Sequence, residues 1–570
     1  MDTRYYQREL EYLRVLAARF SRAHPAVAPL LSGPSSDPDV ERLLEGTAFL
    51  AGQLSQQLDE SYDRLAENLL ELVLPQLLRD IPSCVIMQFV PKTALSETLV
   101  IPKGSRVASR EVDGVSCIFS TTCPVELSPL RLDKIRSDSR PGQKAILRLD
   151  FGMTFPPALA TVKHLRLYLR GSRPEAVKRL YFMHRYAQRL VFQAGATRRV
   201  MPGNTLRPVG FAPDEWLFPY PSTALPAYRL LQEYYVFPEK FFFLDIPVPD
   251  FNMDTKGAEA FSCEIEFQQS VPEDMPSFQR DDFALFAVPA VNLFPYETVP
   301  IRTDHRQESY PVRANVSAAE AYNPYLVESV RSVGPDGERI YYSLPTRRGS
   351  VSTPTYRTVF RKTENGRREM ELFLTYPAGG GVPEAATLSL KALYTNGDLP
   401  ARLNIGDVLL PLSSSPALAD FTNLMPPTSP APAPAEGNVL WTMLAHLHLN
   451  YLPLADARTL RTLLHVYLPE TTDALYFGAN RKRIESVVSL EARDTDYIWK
   501  GRPTRGTDLT LTLDESGFSN TGDMYLFAMV LAAFLHEYST INSFVRVTAT
   551  DTLNKNRFQW LKHRKENSPR

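Results

Sequence analysis

Phe261-Ser-Cys-Glu-Ile-Glu-Phe267 places an apolar side chain at every second position and a polar one between. Successive side chains of a strand point to opposite faces, so the run reads as a strand with one face in a core and the other in water. Four more short runs before it share this strand-like character: Val85–Val90, Ser116–Ser120, Ala145–Phe151 and His164–Arg170. Glycine and proline punctuate them at 101–104, 141–142 and 202–204. An antiparallel sandwich or barrel-like layer follows as the expectation for Pro82–Phe267. Tyr181, His184 and Leu190 stand at near-helical spacing and suggest one crossover helix within Pro174–Gln193. A second β-rich section runs from Asp281 to Leu412, with strands expected at Val299–Thr303, Arg339–Leu344, Glu369–Thr375 and Thr387–Thr395.

The first eighty residues change period. Tyr6, Leu10, Leu13, Ala17 and Phe20 follow a 4-3-4-3 spacing, one apolar stripe on a helix whose other face carries Arg4, Arg8, Glu11 and Arg19. His24-Pro25 ends it. Asp37-Pro38 opens a second helix with Val40, Leu44, Ala51, Leu54 and Leu58 on its inner face. Ser61 is expected to cap a third, with Tyr62, Leu65, Leu69 and Leu72 inward and a break near Pro75.

Toward the other end, Pro426-Pro-Thr-Ser-Pro-Ala-Pro-Ala-Pro434 excludes a regular helix or a central strand, because proline fixes φ and supplies no amide donor. It reads as a stiff arm delivering the apolar, aromatic segment Trp441–Tyr451. Beyond it, Leu440–Tyr451 and Arg458–Tyr467 look helical, Ile484–Ala492, Asp508–Leu513 and Ser543–Thr550 look like strands, and Asp523–Tyr538 reads as a buried helix. The fold class is therefore α+β and multi-domain: an N-terminal helical region (1–82), two β-rich domains (83–270 and 271–425), a proline-rich arm (426–436) and a C-terminal mixed α/β domain (437–570).

Composition bounds the function. A chain of 570 residues with 44% apolar and 22% charged residues is globular in character, and its formal net charge of −1 suggests neither a nucleic-acid track nor an acidic substrate. The start of the chain is too charged for the apolar core of a secretory signal. The longest apolar run, Met524–Leu535, is short of the roughly 20 residues that a membrane span needs. Cys84, Cys117, Cys123 and Cys263 form no disulfide framework in so long a chain and are expected as buried reduced thiols in a cytoplasmic protein.

Catalytic signatures are lacking. The sequence has no G-x-S-x-G elbow, no phosphate-binding G-x-x-x-x-G-K-[ST] and no H-E-x-x-H zinc helix. Gly379-Gly-Gly381 lacks a following helix to point at an anion. His446 and His448 have no third ligand at a metal-binding spacing, and Cys117 and Cys123 have no CxxC partner. Asp281-Asp282 and Asp494-x-Asp496 read as solvated loop carboxylates rather than an acid/base pair. No catalytic residue, metal or cofactor is assigned.

Several blocks, in order, resemble the TssF (ImpG/VasA) family, the baseplate wedge subunits of the bacterial type VI secretion system. They are Tyr5-Tyr-x-x-Glu-Leu10, His24-Pro25, Asp37-Pro-x-Val40-Glu-Arg-Leu-Leu-Glu-Gly46-x-Ala-Phe-Leu50, Asn292-Leu-Phe294, Thr395-Asn-x-Asp398-Leu-Pro400, Trp441 with Leu444-x-His446-Leu-x-Leu-Asn-Tyr451, and Ile541-Asn-Ser-Phe544. The sequence departs from the family at Val73-Leu-Pro-Gln76, where Tyr-Pro-His is more usual. The resemblance implies a structural protein, without enzymatic activity, that pairs principally with TssG. It also implies contacts with a further TssF copy, TssK, TssE and a VgrG spike, with docking at the inner membrane only through partners. Tyr5, Tyr6, Tyr12 and Leu13 are candidate interface residues in a helical bundle or, equally, members of the chain's own core; Trp441 and Tyr451 are a second candidate. The alternative from a different class is a carbohydrate-binding or carbohydrate-hydrolysing β-sandwich, since strands and aromatics are abundant.

Overall fold

The computed structural model describes residues 3–27, 38–138, 143–153, 162–220, 226–251, 260–334, 337–343, 353–362, 368–377, 385–433, 456–469, 474–499, 502–537, 544–553 and 556–563. It divides into two compact units, the described residues up to Leu78 and those from Arg79 onward.

The first unit is a helical hairpin, α1 (Thr3–Ala23) and α2 (Pro38–Val73). Arg14 pairs with Glu41 (3.2 Å) while Ser55 donates to Glu9 (3.1 Å), so the two helices run antiparallel. Small residues let them approach: Ala17, Ser21, Ala48 and Gly52 are buried between larger, half-buried neighbours. The expected second and third helices are one, 36 residues long. Nothing between Gln53 and Val73 stops a helix, because that stretch holds neither proline nor glycine, and Ser61 alone does not end one.

The second unit carries the sheets. A six-stranded sheet runs in the order Val408–Pro411, Arg106–Val112, Val115–Thr121, Ala287–Val291, Cys84–Pro91, Ala419–Asn423. Residues from both sides of the expected 270/271 boundary share it. A five-stranded antiparallel sheet contains Ala260–Phe267 between Ala187–Ala194 and Ile146–Met153. There Phe261, Cys263, Ile265 and Phe267 are buried, as the alternation predicts. Helix α3 (Arg173–Tyr186) is the expected crossover, but Leu190 belongs to the strand after it and not to the helix. Gln188-Arg-Leu-Val-Phe-Gln193 is short and rich in β-formers, and cross-strand pairing wins there.

A large sheet built on Asn323–Gly334 and Ala386–Thr395 forms a second core around Phe294, Val330, Leu372, Leu388 and Tyr394. Asn292 and Asn396, both inside the family-like blocks, fasten it to the six-stranded sheet. Asn292 Nδ2 donates to Ile118 O and to Asn396 Oδ1 (both 2.8 Å), and Asn396 N donates back to Asn292 Oδ1 (2.7 Å). Gly397 follows with φ +55°, and a Cβ there would stand 2.7 Å from Asn323 Nδ2, so the turn requires glycine.

Four further α-helices are described: α4 (Pro226–Val236), α5 (Ala457–Val466), α6 (Ala474–Glu485) and α7 (Thr521–His536). Helix α7 is buried on nearly all sides and links the parallel strands Arg502–Leu513 and Phe544–Asp551, a connection that needs a crossover. Ile484 lies in α6, so the strand expected from it begins only at Val487.

The proline run is not a free arm over its described part. Leu424–Ala433 extends along the sheet beside Cys84–Pro91, with Thr428 N donating to Cys84 O (2.9 Å) and Ala431 exchanging backbone bonds with Ile81. It is neither helix nor central strand, as proline chemistry demands.

Candidate protein interface

Several buried charged groups inside the second unit are paired with one another. Asp523 is fully buried at the start of α7 and accepts from Arg483 Nε (2.9 Å) and Nη2 (2.8 Å), with Arg173 3.3 Å away. Burial alone would raise its carboxyl, but the two guanidinium groups outweigh it and hold it below the usual range. Glu233 and Lys240 form a second buried pair. A crevice of about 190 Å³ has Cys123, Glu126, His164, Arg166, Glu215 and Phe286 in its lining. Its floor is an ion-paired seam, since Arg166 is bidentate on Asp245 (2.8 Å to each oxygen) and 3.1 Å from Glu215. Burial pushes the Cys123 thiol up and Cys117 to about 11, so neither is a poised nucleophile.

Three of the four carboxylates considered as acid/base pairs are ion-paired as well. Asp282 binds Arg179 (3.0 Å), Asp281 binds Arg280 (3.2 Å), and Asp494 binds Arg505 (3.0 Å). Among the described residues no group of three or more His, Cys, Asp or Glu side chains could hold a metal ion. Gly379–Gly381, His446 and His448 lie outside the described residues.

His184 is the titratable group with the clearest consequence. Its Nδ1 shares a hydrogen bond with Tyr525 Oη (2.8 Å), and burial, with Arg185 adding to it, lowers its pKa to about 4. The unfolded chain takes up this proton near pH 6.5 and the folded chain does not, so stability is full above 6.5 and falls as pH drops toward 4. By pH 5 the expected loss is about 2 kcal/mol. Denaturant midpoints of the parent at pH 7 and pH 5 should differ by more than those of His184→Leu; equal differences would contradict this.

Unsatisfied surface lies on the hairpin. Tyr12 (58% exposed), Leu16 and Phe20 (52%) form an outward stripe on α1, although Phe20 was expected inward. Leu43 (73%), Leu50 (66%), Leu54 (59%) and Leu58 (51%) form another on α2. Leu54 and Leu58 were expected on the inner face of their helix. Their register is instead taken by Leu44, Ala48, Ala51, Gly52 and Ser55, whose smaller members allow the close approach. Of the candidate residues, Tyr5, Tyr6 and Leu13 are half-buried, Tyr5 under the Arg8 guanidinium (5.3 Å), and Tyr12 projects outward. Trp441 and Tyr451 lie outside the described residues. Leu43, Leu50, Leu54 and Leu58 were missed as surface residues. The signal was present: α2 carries apolar side chains on two stripes, and a two-helix hairpin can bury only one.

Residues 3–566 match the family described as Type VI secretion system, TssF. The chain belongs to the TssF family. It is 28% identical to the type VI secretion system component TssF1 of Pseudomonas aeruginosa over 593 aligned positions, covering 95% of each chain. Its fold is similar to a chain in a cryo-electron microscopy structure of the TssK-TssF-TssG baseplate subcomplex, with a TM-score of 0.79, 27% identity, and 93% and 99% of the two chains covered. A chain of another structure, the baseplate complex from the type VI secretion system, matches at TM-score 0.64 and 25% identity over the full length of both. TssF is a baseplate component, and a structural role there is what these likenesses support; they do not favour the carbohydrate-handling alternative. No described helix is long and apolar enough to cross a membrane.

Proposed function

We propose that this chain is a non-enzymatic wedge subunit that assembles with TssG around the spike and helps link sheath and membrane-anchoring subunits. The observation that carries the reading is the α1–α2 hairpin, with two outward apolar stripes that the described residues leave exposed. Contiguous exposed apolar patches mark association surfaces. In this reading the α2 stripe of Leu43, Leu50, Leu54 and Leu58 receives TssG, the principal partner. The α1 stripe of Tyr12, Leu16 and Phe20 receives a helix of a further TssF copy. Each large side chain so buried contributes about 1.5–3 kcal/mol before the costs of association.

TssK stands with TssF and TssG in the similar baseplate subcomplex and is taken as a neighbour of the assembled wedge. TssE and a VgrG spike complete the set, and docking at the inner membrane from the cytoplasmic side runs through such partners. Subunits that meet different neighbours on different faces close into a ring when the rotation permits. Hydrogen–deuterium exchange on the full chain, alone and with TssG, tests the reading. Slower exchange across α1 and α2 is expected in the complex. Protection confined to other segments would remove the hairpin from the interface.

A further inference from the structure

Nothing among the described residues requires glycine at position 46. Gly46 lies in the interior of α2, outside the left-handed backbone region that favours glycine, and a Cβ placed there meets no described atom within 4 Å. Glycine inside a helix is less stable than alanine, because it gives up more backbone freedom on folding. The helix therefore carries a local weakness at an exposed position where alanine would fit. Gly52, the other glycine of α2, is buried on the α1 side, where small residues let the two helices approach.

The surroundings of Gly46 on the helix surface are apolar and outward. It stands three residues after Leu43 and four before Leu50, the spacings that make side chains neighbours on a helix, and both leucines are exposed. Leu43, Thr47, Leu50 and Leu54 follow a 4-3-4 spacing, the repeat by which one helix lies along another. Thr47 suits such a seam because its hydroxyl is occupied within the helix, donating to Leu43 O (2.7 Å). In packing of this kind a side chain of one helix enters a hole between residues of the other, and the side chains at the contact set how closely the axes approach.

We propose that Gly46 is a contact notch, in which a large apolar side chain of a TssG helix lying along the Leu43–Leu54 seam seats between Leu43 and Leu50. The inference rests on the reading that the α2 stripe receives TssG, and it adds the residue that sets how closely the two helices pack. It makes two effects run in opposite directions. Filling the notch strengthens the free helix and weakens the complex, whereas a glycine without a role in binding would change the helix alone.

The test titrates full-length Gly46→Ala and Gly46→Leu against TssG beside the parent, with hydrogen exchange of the free chains in parallel. In the free chain Gly46→Ala should slow exchange of the neighbouring α2 amides by about two- to fivefold, the advantage of alanine over glycine on helical backbone. Its affinity for TssG should fall at least about fivefold, because the added methyl overfills the contact, and Gly46→Leu should bind more weakly still. Gly46→Ala binding TssG as tightly as the parent, or more tightly, overturns the proposal. So does a loss no greater for leucine than for alanine, which would report helix stiffness and not space. Leu50→Asp with Leu54→Asp, titrated alongside, separates the notch from the reading beneath it. If that variant binds TssG as the parent does, seam and notch fall together; if it loses TssG while Gly46→Ala keeps it, only the notch falls.

Discussion

Replacing Lys240 by Met should destabilise the chain by about 3–5 kcal/mol, because the change strands a carboxylate in the interior. Glu233 and Lys240 have side chains 0% and 1% exposed. With Lys240 gone, Glu233 Oε1 keeps, among the described residues, Leu217 N (2.9 Å) and the longer contact from Tyr220 Oη (3.4 Å), two neutral donors that do not balance a buried charge. A whole domain is stable by only about 5–15 kcal/mol, so one such loss is a large share. Pairing the change with Glu233→Gln removes the charge itself, and most of the stability should return. Chemical denaturation of the single and double variants separates the cases. A single variant as stable as the parent would mean that the pair does not hold this part of the fold.

That pair also shows where sequence reading stops. Two charged residues seven apart look like solvated surface, and only the packing of α4 and the 3₁₀ turn after it makes them interior. The same holds for α6. Ala474–Glu485 includes Gly478 and Asn480 and has no clear apolar stripe. It is anchored by Arg483 reaching Asp523 of α7, forty residues away in sequence. Helix α7 was legible because a continuous apolar run of that length is too long for a strand. The strand at Phe261–Phe267 was legible because alternation is a local signal that its neighbours reinforce. At Ala187–Ala194 the local signal was ambiguous, and pairing with strands on both sides decided it.

Exposure along the hairpin was legible in part. Tyr12 was named and projects outward, whereas Tyr5, Tyr6 and Leu13 are half-buried along α1. Leu54 and Leu58 were assigned to the inner face, because two apolar stripes on one helix do not say which of them the nearest neighbour takes. Here Ala48 and Gly52 decide it, since small residues give the closer helix contact. The proline run was read correctly for what it excludes, but its local chemistry could not reveal that Cys84 and Ile81 wait beside it to bond its inward amides.

The second large effect concerns the hairpin. Leu50 and Leu54 are 66% and 59% exposed, so changing both to Asp should leave the fold and its unfolding midpoint close to those of the parent. In a closed interface the same carboxylates would be desolvated without partners, and each lost leucine contact would add about 1.5–3 kcal/mol. A loss of affinity of at least about a hundredfold follows from the leucine contacts alone. Tyr12→Asp on α1 should spare TssG and weaken association with the further copy. The deciding measurement is co-purification of TssG with the parent chain and with the Leu50→Asp, Leu54→Asp variant, both checked for an unchanged unfolding midpoint. Retention by the parent and loss by the variant is the predicted result. Equal retention by both would contradict the claim that this helical hairpin is how the subunit joins its assembly.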